Sequence, residues 1–222
     1  MYFLLFLAML ILPLWAQYNV KSTFNKYSTV RNARGLTGAD VARKILDSNG
    51  LYNIRVEHIA GQLTDHYDPR DGVVRLSDST YSSQSVAAIG VAAHECGHAC
   101  QHAEEYTPIK IRTAIVPVTN VCSMLWYWVF LVGIIVFQSF PSLVYIGIAM
   151  FSAVVLFQLV TLPVELDASN RALKTMENDM ILEYDELPHA KKVLKAAAFT
   201  YVAALIVSLM QLLRLILSTR RR

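Results

Sequence analysis

His94-Glu95-Cys96-Gly97-His98 decides how this chain reads. On an α-helix the two histidines fall at i and i+4, on one face and about 6 Å apart along the axis. Two neutral imidazoles so placed can reach one Zn²⁺ at roughly 2.0–2.1 Å each. Glu95 lies one residue round the helix and is left free to act as a general base rather than as a ligand. The alternative is a pair of solvated histidines on a surface helix. The preceding residues, Val86-Ala87-Ala88-Ile89-Gly90-Val91-Ala92-Ala93, are uncharged and mostly small or apolar. The helix is therefore expected to be buried, and a buried His-Glu-His cluster needs polar partners.

Around this motif the chain reads as a membrane protein. It has 222 residues and is 55% hydrophobic, rich for a soluble domain. No charged side chain occurs between Arg112 and Glu165, room for two spans of about 20 residues each. The first span is predicted at Ala114–Phe137 and the second at Leu143–Leu162, joined by a turn at Phe140-Pro141-Ser142. Together they form a hairpin assigned to residues 113–163, with Pro163 expected to kink or end the second span. A further apolar stretch, Ala196 to Leu213, is long enough to cross and is assigned to residues 196–217, followed by a basic tail at 218–222. Met1 to Ala16 is almost wholly apolar, lacks a basic n-region and ends in the poor cleavage site Leu14-Trp15-Ala16-Gln17. Residues 1–20 therefore read as an uncleaved anchor. The fold class is a mainly α integral membrane protein with three to four transmembrane helices and a small β-sheet or hairpin. Residues 21–112 and 164–195 are its water-facing parts.

Charge and cysteine content narrow the setting. The net charge is +3, and the basic residues are scattered or beside hydrophobic segments, so no nucleic-acid partner is expected. Lys21, Lys26, Arg31 and Arg34 follow the anchor, and Lys191, Lys192 and Lys195 precede the last apolar stretch. These flanks favour a multi-pass protein of the cell membrane with a cytoplasmic catalytic face. Arg220-Arg221-Arg222 runs against that orientation if the last helix crosses fully. Cys96, Cys100 and Cys122 are too few for a disulfide framework and read as small apolar fillers in a reducing compartment.

Within residues 36–104, Thr37-Gly38-Ala39-Asp40 looks like a capping box, and Asn49-Gly50 stops the helix it starts. Asn53 to Ile59 alternates like a strand. Asp68-Pro69-Arg70-Asp71-Gly72 is a turn signal that joins a strand near Gln62–Tyr67 to one at Val73–Ser77. Ser82 or Ser83 can cap the helix that carries His94. A strand edge left beside the metal could hold an extended peptide by backbone hydrogen bonds.

A catalytic zinc takes three protein ligands and one water. His102 continues the row His94, His98, His102, but eight residues of straight helix separate its ends by about 12 Å. It reads better as a partner of the ligands or a helix-end cation. Glu165 is the better third ligand, being a carboxylate at the edge of an apolar span, where it is costly to leave unpaired. Two crossings lie between His98 and Glu165, which returns Glu165 to the side of the motif. Asp167 is a candidate acceptor for a ligand histidine N–H. Arg171 could stabilise an oxyanion or pair with Asp167. His66, His189 and Tyr201 are further candidates for the oxyanion role.

The runs Val91-Ala92-Ala93-His94-Glu95-Cys96-Gly97-His98-Ala99-Cys100-Gln101-His102, Tyr67-Asp68-Pro69-Arg70 and Pro163-Val164-Glu165-Leu166-Asp167-Ala168-Ser169 resemble the YugP-type family of neutral zinc metallopeptidases of the bacterial membrane. More distantly the chain resembles the HtpX and CAAX-processing membrane proteases. The resemblance implies a gluzincin-like site in which His94, His98 and Glu165 hold Zn²⁺ and Glu95 is catalytic. The distant relatives carry an Asp four residues after the ligand Glu, where this chain has Ser169. The function so implied is a membrane-embedded zinc endopeptidase; the nearness of His102 and Glu165 to the charge-free spans adds that its substrates are membrane-associated or unfolded polypeptides near the bilayer. Its rivals are a non-enzymatic zinc-binding membrane scaffold and a metal-dependent hydrolase of lipid-linked substrates.

Overall fold

A computed structural model describes residues 2–219, with side chains from Phe6 onward. In chain order the elements are α1 (Tyr2–Tyr27), α2 (Gly38–Ser48), β1 (Arg55–Ile59), β2 (His66–Asp68) and β3 (Val73–Ser77). They are followed by α3 (Val86–Ala103), α4 (Thr107–Ile135), α5 (Ser142–Asn178) and α6 (Leu187–Thr219). Two compact units share these elements. Residues 16–106 and 164–200 form the motif unit; residues 1–15, 107–163 and 201–222 form the span unit.

Local chemistry sets the elements of the motif unit. Thr37 Oγ1 accepts from the Asp40 amide at 3.2 Å, and the Asp40 carboxylate accepts from the Thr37 amide at 2.9 Å. This reciprocal box starts α2. Gly50 stops the helix at φ 72°, a conformation open to glycine at no steric cost. Removing the cap hydroxyl in Thr37→Ala is expected to cost about 1 kcal/mol, or about 2–4 °C in Tm for a chain of this size; thermal unfolding in detergent checks it.

The sheet has the order β1-β3-β2. β1 runs parallel to β3, and β2 is the other, antiparallel neighbour, joined to β3 by the turn at residues 69–72. Val73, Val74 and Leu76 of the central strand are fully buried. α3 begins not at Ser82 or Ser83 but at Ser85, whose hydroxyl accepts from the Ala88 amide at 3.2 Å. Ser83 instead bonds the Ser85 amide and hydroxyl, so it supports the cap from one step back.

α3 runs through the middle of this unit. Val86, Ile89, Ala92, Ala93, Cys96 and Ala99 pack on Val41, Ile45 and Leu46 of α2, on Val74 and Leu76 of the sheet, and on Ala172 and Met176 of α5. Apolar neighbours around its first half explain why residues 86–93 carry no polar side chain.

In the span unit, α4, α5 and α6 are long and apolar enough to cross a membrane, and only 17%, 22% and 28% of their apolar windows are buried. So much exposed hydrocarbon is stable only against lipid. The protein is thus a mainly α membrane protein with a small three-stranded sheet, and among the described residues three helices meet the span criterion. α4 and α5 meet backbone to backbone. A Cβ on Gly147 would lie 2.8 Å from Phe130 Cβ, and one on Gly133 would lie 2.6 Å from the Val144 nitrogen. Close approach at small residues is how helices associate where lipid removes the hydrophobic drive.

Several helices run beyond their apolar cores. α5 runs through Pro163 to Asn178, because one lost amide bond in a long helix is offset by its neighbours. α4 starts ahead of its apolar core, at Thr107, and α1 extends past residue 20 to Tyr27; α6 starts at Leu187, where Pro188 in the first turn suits a helix start. The tail Arg220–Arg222 lies outside the described residues.

Candidate metal centre

α3 presents His94 and His98 one turn apart, their rings 4.8 Å centre to centre and nearly perpendicular. α5 supplies Glu165, only 2% exposed. Glu165 Oε2 lies 3.3 Å from His94 Nε2 and 3.5 Å from His98 Nε2. All three donor atoms fall within 4.8 Å of one another.

These separations fit a metal. Ligands at about 2.05 Å on a tetrahedral ion stand about 3.3 Å apart, the length of a tetrahedron edge. The donor set, two imidazole nitrogens and one carboxylate oxygen, matches a hydrolytic zinc site that keeps a position open. Both histidines turn Nε2 inward, while their Nδ1 atoms are engaged elsewhere: His94 with Ser169 Oγ at 3.2 Å, His98 with Gln101 Oε1 at 3.0 Å. Metal-bound histidines are held in this way by the far ring nitrogen. Burial alone would push the His98 imidazole down, but the Glu165 and Glu95 carboxylates and Gln101 outweigh it and raise it, so the pocket favours a cation.

The approach of α5 to α3 depends on Gly97, inside the motif. A Cβ there would sit 2.7 Å from the Ala168 carbonyl oxygen and 3.2 Å from Ala168 Cα. The two backbones touch at this point, and that contact brings Glu165 within reach of the histidines.

Glu95 is 9% exposed. It stands outside the three-donor group, and its Oε2 accepts from the Tyr67 amide of β2 at 3.1 Å. Tyr67 lies opposite Val74 on β3. Its amide turns away from β3, so the outer edge of β2 lies beside this carboxylate.

The family model described as "Putative neutral zinc metallopeptidase" matches residues 2–220. The chain belongs to this family. It is also 48% identical over 217 residues, 98% of this chain and 96% of the relative, to the "Putative membrane protease YugP" of Bacillus subtilis (strain 168). No solved structure matches it. The cofactor of a zinc metallopeptidase is Zn²⁺, and His94, His98 and Glu165 are the residues here that can hold it.

Asp167 meets neither histidine directly: its Oδ2 accepts from Gln101 Nε2 at 2.8 Å and from Arg171 Nε at 2.6 Å. Arg171 takes the pairing role, bonding Glu104 as well at 2.7 Å and lying over the Tyr106 ring. His102 stands outside the donor group and packs its ring 5.5 Å from that of Tyr67. His66 Nδ1 bonds the Thr64 carbonyl, and His189 stacks on Tyr27. Tyr201 belongs to the span unit.

Gln101 and Ser169, which the sequence reading did not single out as partners, contact the far ring nitrogens of His98 and His94. Their signal was weak: Gln101 follows His98 by three residues, on the same helix face, and Ser169 stands where the distant families carry an acid.

Cys96 and Cys100 are not part of the donor group. Cys96 Sγ donates to the Ala42 carbonyl. Burial pushes both thiols up, Cys100 to about 11 with help from Glu104. Since the thiolate is the reactive form, both are expected to resist iodoacetamide at neutral pH in the folded protein and to react once it is denatured, as peptide mapping would show.

Proposed function

We propose that this chain is a membrane-embedded zinc endopeptidase that cuts membrane-associated or unfolded polypeptides near the bilayer surface. His94, His98 and Glu165 are its ligands and Glu95 its catalytic base. The observation that carries this reading is Glu95: a buried carboxylate beside the donor group that is not one of its donors. A structural zinc site uses four protein ligands and has no need of such a group, which counts against the scaffold reading.

Bound zinc supplies Lewis acidity to a substrate carbonyl and lowers the pKa of an attacking water. Glu95 takes the proton of that water on a carboxylate oxygen as oxygen bonds to the scissile carbon. It then delivers the proton to the amine nitrogen as the C–N bond breaks. Ser169 and Gln101 orient the two imidazoles. The family description as a zinc metallopeptidase and the relative's name as a membrane protease support a polypeptide substrate.

The membrane placement belongs to the same proposal. The spans are 113–163 and 196–217, the anchor is 1–20, and residues 21–112 and 164–195 face the cytoplasm. His102 and Glu165 flank the charge-free run closely in sequence, which favours juxtamembrane substrates.

Two assays test the proposal. Metal content of the detergent-purified protein is expected near one zinc per chain, lost in Glu165→Ala and retained in His102→Ala; zinc kept in Glu165→Ala would remove the ligand assignment. An unfolded peptide tethered to vesicles is expected to be cut faster than the same peptide free in solution, with cutting abolished by chelation. Equal rates would remove the membrane-proximal part of the proposal.

A further inference from the structure

Gln101 is fully buried and holds three partners. Its Nε2 donates to the Val164 carbonyl at 2.8 Å and to Asp167 Oδ2 at 2.8 Å. Its Oε1 faces His98 Nδ1 at 3.0 Å. The carbonyl and the carboxylate accept only, so the amide cannot turn over without setting oxygen against two oxygens. Asp167 is itself held by Arg171. Oxygen is therefore fixed toward His98, and oxygen there demands an N–H on Nδ1. A neutral imidazole with its proton on Nδ1 has its lone pair on Nε2, the atom 3.5 Å from Glu165.

His94 lacks this constraint. Its Nδ1 partner is the Ser169 hydroxyl, which donates or accepts by rotating and so admits either tautomer. The two ligand histidines thus differ in how they are prepared.

We infer that Gln101 is a positioning residue that selects the metal-binding tautomer of His98. Through Val164, next to Glu165 in sequence, it also ties the α3 ligands to the α5 ligand. The inference rests on the ligand set proposed above. Arg171 and Asp167 contribute by holding the amide, not by touching the reacting atoms.

The test is zinc affinity, read by competition with a chromophoric chelator, together with Tm of the metal-free protein, for wild type, Gln101→Met, Gln101→Glu and Glu165→Ala. Met keeps the volume and removes both polar functions, and is expected to weaken zinc binding about 10–100-fold, the usual loss when such a partner is removed. Glu keeps an oxygen toward His98 but faces Asp167 and the Val164 carbonyl, so it should lower Tm more than Met does. Its zinc affinity is nevertheless expected to stay within about threefold of wild type, because the acceptor remains. If Gln101 served packing alone, affinity would follow Tm and Glu would bind worst; that order overturns the inference, as does a Met variant with wild-type affinity. Glu165→Ala separates the two levels. If it binds zinc as wild type does, the ligand set fails and takes the inference with it. If it loses zinc while Gln101→Met does not, only the inference fails.

Discussion

Glu95→Gln is expected to abolish measurable peptide hydrolysis while leaving one zinc per chain in place. The amide has the shape of the carboxylate and can still meet the Tyr67 amide through its oxygen, so folding and the edge of β2 are preserved. It cannot accept a proton from water. General-base catalysis contributes about 10²–10⁴ in rate, and the fall in kcat should lie in or beyond that range. Metal analysis of the same preparation is what makes the result decisive. Lost activity with zinc retained assigns the residue to the chemistry, whereas lost activity with lost zinc assigns it to the architecture. A Gln variant that still cuts at the wild-type rate would refute the base role.

The second large effect is expected at Gly97. Adding one methyl in Gly97→Ala places a carbon 2.7 Å from a backbone carbonyl oxygen on α5. A backbone neighbour cannot rotate away, so the two helices must separate. Overpacking of this kind costs typically about 1–3 kcal/mol. The functional cost is larger, because Glu165 must meet two imidazoles on the facing helix, and sites tolerate displacements of only about 0.5 Å. Zinc affinity is expected to drop about tenfold or more. Gly90, on the same helix, is the internal control. A Cβ there meets Ala190 at 3.6 Å and nothing closer, an ordinary contact. Gly90→Ala should bind zinc normally and gain up to about 1 kcal/mol in stability from helix propensity. Equal behaviour of the two variants would show that the α3–α5 approach does not limit the site.

Much of this protein was legible before any coordinates. The charge-free run from residue 113 to 164 announces two spans because bilayer thickness sets helix length, a purely local constraint. Thr37 and Asp40 announce a capped helix start because the box closes within four residues. The pair His94 and His98 can be read as ligands because helical periodicity alone brings them together.

What failed or stayed open depended on partners far away in the chain. Ser83 is as good a cap as Ser85 by type, and the choice between them was made by where the Val30–Asn32 segment bonds the chain, at Gln84 and Val86. Asp167 looked like a direct partner of a histidine because spacing along α5 says nothing about which α3 side chain stands between. Gln101 stands there, and its role exists only because Val164 and Asp167 meet it from 63 and 66 residues away.

By itself, then, the sequence determined the H-E-x-x-H helix and the apolar spans, each written in residues close together along the chain, and the family, written in three short runs. Only the tertiary structure decided how α5 reaches the motif, through a glycine that lets two backbones touch, and how the imidazoles are held. Those outcomes depend on distances between elements, and such distances follow from packing the whole core rather than from any one stretch of it.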